Sequence, residues 1–68
     1  MNAIDEKLLN LGHEKWIALG ISKELRKLSE GRYDEMGVEL SKIANQYLEE
    51  FSKLDKEYYE LLISKIKA

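Results

Sequence analysis

The chain has no cysteine and no proline, and only four glycines in 68 residues. Without cysteine it can build neither a disulfide framework nor a thiolate metal site. Without proline, only glycine or turn chemistry is left to stop a helix. No apolar run approaches the roughly twenty residues needed to cross a bilayer. The opening Met1-Asn2-Ala3-Ile4-Asp5-Glu6 lacks the basic start and apolar core of a secretion signal. A cytoplasmic location without membrane contact is the expectation.

What is present favours helices. Charged residues make up 35% of the chain and hydrophobic ones 44%, enough apolar surface to argue against intrinsic disorder. A single domain over residues 1–68 is expected. Chains this short bury only about 60% of the surface their unfolded state exposes, so with no disulfide available, oligomerisation is the natural supplement.

The longest pattern is an apolar stripe from Met36 to Ile66, broken only near its start by Gly37. It comprises Met36, Leu40, Ile43, Ala44, Tyr47, Leu48, Phe51, Leu54, Tyr58, Leu61, Leu62 and Ile66. At 100° per residue these fill an arc of roughly 160°, wider than contact with one neighbouring helix requires. A helix of this length spans on the order of 45 Å, more than a compact monomer can cover. Upstream, Ile17, Ala18, Ile21, Leu25 and Leu28 form a narrower stripe that can dock against it. Ile4, Leu8 and Leu11 form another, rotated by about 100° from the first. That phase shift falls at Gly12-His13 and allows either a break into two helices or one continuous helix with a second apolar face.

Ser29-Glu30-Gly31-Arg32 is the one convincing turn. Gly31 suits the left-handed conformation that closes a helix, and Arg26 and Lys27 precede it where cations favour the dipole. The expected fold is therefore all-α. It is a long antiparallel helical hairpin with a helix over about 3–29, a turn at 30–32 and a helix over about 33–66. A short extra N-terminal helix arises if the chain breaks near 12–13. Pairing of two copies would give a four-helix bundle, parallel or antiparallel.

No catalytic set emerges. His13 is the single histidine, and with Glu6 and Glu14 it falls short of the three or four ligands zinc needs. No serine lies in a Gly-x-Ser-x-Gly turn, and the paired carboxylates Asp5-Glu6, Asp34-Glu35 and Glu49-Glu50 read as dipole-complementing or solvated. No enzyme activity, cofactor or metal is expected. If the first helix is continuous, Leu9, Trp16, Leu19 and Lys23 lie away from the intrachain stripe. They form the candidate interaction surface, for a protein partner or for a second copy. A small helical protein–protein interaction module, a regulator or adaptor acting as a homodimer, is the function expected.

The alternative is nucleic-acid binding by a dimeric hairpin through Lys15, Lys23, Arg26 and Lys27. From His13 to Arg32 bases outnumber acids, whereas from Tyr33 to Glu60 eight acids face three lysines. Complementarity between the two halves accounts for this asymmetry without a binding patch.

Two local likenesses touch this region. Ala18-Leu19-Gly20-Ile21-Ser22-Lys23-Glu24-Leu25-Arg26 resembles the turn and recognition helix of helix-turn-helix DNA binders. That family implies a small residue where Trp16 stands and an apolar one at Arg26. Trp16-x-x-Leu19-Gly20 and Gly31-Arg32-Tyr33-Asp34-Glu35 are similar to parts of tetratricopeptide repeats. The spacing between them is about one turn too long, the repeat's tyrosine position holds Lys23, and no second copy follows.

Overall fold

The computed structural model describes residues 2–67 and consists of two helices packed antiparallel, with no strand among them. Met1 and Ala68, the ends of the expected domain, lie outside the described residues. Helix α1 runs Ala3–Ser29 and α2 runs Glu35–Lys67. Asn2 caps α1, its Oδ1 accepting the Asp5 N–H at 2.8 Å, and Asp5 and Glu6 place negative charge in the first turn. The helix passes through Gly12 without interruption, so there is no separate N-terminal helix. It passes equally through Gly20, which removes the bend that the helix-turn-helix likeness requires.

The turn has an identifiable geometry. Glu30 has φ −61° and ψ 130°, Gly31 has φ 77°, and the Arg32 N–H donates to the Ser29 carbonyl at 3.1 Å. This is a type II β-turn, whose third residue must be left-handed and is therefore best as glycine. Helix α2 starts at Glu35, two residues later than the sequence suggests, because Asp34 acts as its cap. Asp34 Oδ1 accepts the Gly37 N–H at 3.0 Å. That bond, and then the Arg32 guanidinium, hold the Asp34 carboxyl below its ordinary value of 3.8. The turn backbone folds tightly onto α2. A Cβ on Gly37 would lie 2.3 Å from the Arg32 carbonyl oxygen. Gly37→Ala should therefore cost about 2 kcal/mol and lower the melting temperature by roughly 10 °C. A variant that melts with the parent would mean that the turn does not rest on α2 there.

The seam between the helices follows a four-three spacing that the apolar pattern alone conceals. In α1 the buried residues are Leu8, Leu11, Lys15, Ala18 and Ser22, continued by half-buried Leu25 and Ser29. In α2 the opposing line is Gly37, Ser41, Ala44, Leu48, Phe51, Asp55, Tyr58 and Leu62. A sustained repeat of four and three is the heptad of a coiled coil. Its centre is made of small residues, with Ala44 wholly inaccessible and Ala18 and Ser22 nearly so. Ser22 Oγ donates to the Ala44 carbonyl at 2.9 Å, which satisfies its hydroxyl in the dry interface.

Two expectations are corrected here. Of the α1 residues read as the docking stripe, only Ala18 is buried, while Ile17 and Leu28 are each 61% exposed. In α2 only Ala44 of the wide stripe is buried, while Met36, Ile43, Tyr47, Leu48 and Ile66 are exposed and the others half-buried. The physical reason is the small-residue seam. Side chains of this size let the helix axes approach closely, and the large residues are displaced to either side. The rod measures 51 × 17 × 12 Å, with a radius of gyration of 15.5 Å where about 11 Å is usual for this length.

The seam fixes two long flanks. On one lie Leu9, Gly12, Trp16, Leu19, Lys23 and Arg26 of α1, one and two places round from the seam, facing Asn45, Ser52 and Tyr59 of α2. The Arg26–Asn45 hydrogen bond at 2.7 Å and the Lys65–Asp5 ion pair close this tryptophan flank. On the other lie Ile17, Ile21 and Leu28, facing Met36, Leu40, Ile43, Tyr47 and Leu54. We refer to it as the isoleucine flank.

Candidate interaction surface

The residues singled out for interaction, Leu9, Trp16, Leu19 and Lys23, share the tryptophan flank of α1. Leu9 and Trp16 are 49% and 62% exposed, Lys23 is exposed and Leu19 is half-buried. Their spacing of three and four residues along one helix brings them together. Trp16 is not free on every side. Its ring meets Phe51 of α2 at a centroid distance of 6.3 Å and a tilt of 45°. Leu9, Gly12, His13, Trp16 and Tyr58 line an open groove.

Beside Trp16 and Tyr58 lies the most deeply buried charged side chain among the described residues. Lys15 is 6% exposed, and its Nζ donates to Asp55 Oδ1 at 2.8 Å. The ammonium lies 4.2 Å from the Tyr58 ring centroid, 5.0 Å from Tyr59 and 5.6 Å from Trp16. Tyr58 and Tyr59 meet edge to face at 5.5 Å. Three aromatic rings and one carboxylate thus surround a single cation, the arrangement that cation–π attraction and a partly buried ion pair both favour. The hydrogen bond to Asp55 holds the Lys15 ammonium above its ordinary value of 10.5, against the opposing effect of burial.

Sequence reasoning missed this cluster because it treats lysine as a surface residue. The signal was present nonetheless. Lys15 stands where a four-three continuation of Leu8 and Leu11 would place an apolar residue. Phe51, Asp55 and Tyr58 share the same four-three line in α2.

The structure separates the four bases of the nucleic-acid alternative. Lys15 is buried in the seam and paired, so it cannot reach a phosphate, and Arg26 bonds Asn45. Lys23 and Lys27 remain on the exposed surface. Among the described residues no group of three or more histidine, aspartate or glutamate side chains converges as a metal site would require. Likewise, no helix of the described residues is long and apolar enough to cross a membrane.

On the isoleucine flank the acids Glu14, Glu24 and Glu50 are interspersed among the apolar side chains. Ile43, Gln46, Tyr47 and Glu50 frame a shallow open depression. None of the side-chain hydrogen bonds or ion pairs found among the described residues involves Ile17, Ile21, Leu28, Ile43, Tyr47 or Leu54. The hairpin therefore presents two apolar flanks of different character. One carries an aromatic cage around a paired charge, and the other a row of apolar residues interrupted by the exposed acids Glu14, Glu24 and Glu50. Compared with protein-family models, curated proteins and solved structures, the chain matches none.

Proposed function

We propose that this chain is a small non-catalytic protein–protein interaction module, a cytoplasmic regulator or adaptor that works as a homodimer. The observation that supports this reading is the amount of apolar surface the lone hairpin leaves in water. Trp16, Ile17, Leu28 and Met36 each keep more than half of their surface exposed. Large apolar side chains left in water along both flanks of a hairpin favour association. Chemistry has little to work with by comparison. An active site needs convergent polar groups in a cleft. The most buried charged pair among the described residues, Lys15 and Asp55, is mutually neutralised and packed against aromatic rings.

Sedimentation equilibrium of the purified protein at low and high salt, with labelled oligonucleotides titrated in parallel, tests this reading. Self-association through apolar flanks should persist undiminished at high salt, and no oligonucleotide should bind. A single-chain mass at every concentration would remove the homodimer. Oligonucleotide binding that weakens steeply with salt would replace the protein-interaction reading with phosphate recognition.

A further inference from the structure

We propose that the second copy docks on the isoleucine flank, formed by Ile17, Ile21, Leu28, Met36, Ile43 and Tyr47, and that the tryptophan flank stays open in the dimer. This inference rests on the homodimeric reading above and assigns its interface.

The area supports one such contact. The chain exposes 5330 Å² where a compact protein of its mass exposes about 4,400 Å². The excess, about 900 Å², is close to the roughly 800 Å² that each partner contributes to a standard stable interface. One copy laid along one flank would therefore bring the hairpin to the surface area of an ordinary globular protein.

The choice between flanks follows from desolvation. Covering the tryptophan flank would bury Asp55, whose side chain is now 34% exposed, and would strip water from an ion pair that is already half dry. It would also enclose the Arg26–Asn45 and Lys65–Asp5 contacts. Removing water from charges is costly even when they are paired. The isoleucine flank carries no such obligation. Its aliphatic side chains and Tyr47 have no polar bond within the chain to protect, and its acids Glu14, Glu24 and Glu50 are all exposed. Glu24, between Ile21 and Leu28, and Glu50, between Tyr47 and Leu54, are in water now, and their flexible stems let the carboxylates reach the rim of a contact. A two-fold dimer would place the same flank of each copy against the other.

The test uses the full chain and compares two flanks. Ile17→Glu combined with Ile43→Glu changes two exposed positions, and Trp16→Ser serves as the opposite-flank variant. Sedimentation equilibrium and helicity are measured for each. We expect the double variant to raise the dimer dissociation constant by roughly a hundredfold or more while remaining helical, and Trp16→Ser to change it by less than about threefold. The milder pair Ile17→Gln with Ile43→Gln should act in the same direction and guards against a folding defect. If the isoleucine-flank variants dimerise like the parent while Trp16→Ser dissociates, the flank assignment is wrong and the homodimer stands. If the parent itself never dimerises, the functional reading has failed, independently of the flank.

Discussion

Asp55→Ala is expected to destabilise the hairpin by about 2 kcal/mol. It removes the carboxylate from Lys15, which is 6% exposed and ringed by Tyr58, Tyr59 and Trp16. Breaking a fully buried pair costs roughly 3–5 kcal/mol, because the remaining charge has no partner. The lower figure applies here because Asp55 keeps 34% of its side chain in water and solvent can reach the gap. In a chain of this size the loss corresponds to a fall of roughly 10 °C in melting temperature. Replacing both partners, Lys15→Met with Asp55→Leu, should restore most of the stability or exceed it, since a packed apolar pair avoids the desolvation. The pH dependence has a definite sign. Folded Lys15 holds its proton more tightly than the unfolded chain does, so its contribution is complete below the ordinary value of 10.5. That contribution fades as pH rises through the higher folded value, and Asp55→Ala should abolish this alkaline loss. Urea melts of the three proteins at neutral and alkaline pH would decide the matter. An Asp55→Ala variant as stable as the parent would show that the pair does not form in solution.

Ala44→Leu is expected to cost about 3 kcal/mol, the largest effect of any single aliphatic exchange in the seam. Ala44 has no accessible surface, and the Ser22 hydroxyl rests 2.9 Å from its carbonyl oxygen. A leucine there has no empty volume to occupy, so the helices must separate, and overpacking of this kind typically costs 1–3 kcal/mol. Separation would also leave the Ser22 hydroxyl without its acceptor, which places the estimate at the upper end of that range. Guanidinium unfolding followed by helicity gives the number directly. A melting curve unchanged from the parent would mean that the axes are farther apart at Ala44 than its complete burial implies.

Much of the architecture was legible from a few residues. The absence of proline, the Gly31 turn and the acid-rich start of the second helix together specify two long helices and one reversal. The continuity of α1 through Gly12 left two readings open, because one glycine costs a helix only about 1 kcal/mol. The seam was the part that apolar periodicity could not reveal. Ile17 and Leu28 are more hydrophobic than Lys15 and Ser22, yet the more polar pair is buried. Burial there is decided by how closely two backbones can approach and by what each polar group can bond across the interface. Both depend on the partner helix. Lys15 has Asp55, and Ser22 has the Ala44 carbonyl, each supplied from a position 40 and 22 residues away respectively.

The candidate surface was partly legible for the same reason. Leu9, Trp16, Leu19 and Lys23 do share one flank, as their three-and-four spacing requires. What their spacing could not convey is that Phe51 supports Trp16 from the opposite helix. Nor could it convey that the docking stripe Ile17, Ile21 and Leu28 belongs to the outer surface. Small residues in the seam leave apolar side chains on both flanks at once, and the proposed association rests on this feature.

The dependence of melting temperature on protein concentration is the most direct test of whether a second copy completes this fold. When folding and pairing are coupled, raising the concentration a hundredfold should raise the midpoint on the order of 10 °C. A midpoint that stays constant over that range, in a molecule that sediments as one chain, would show that the bare hairpin is stable with both flanks in water.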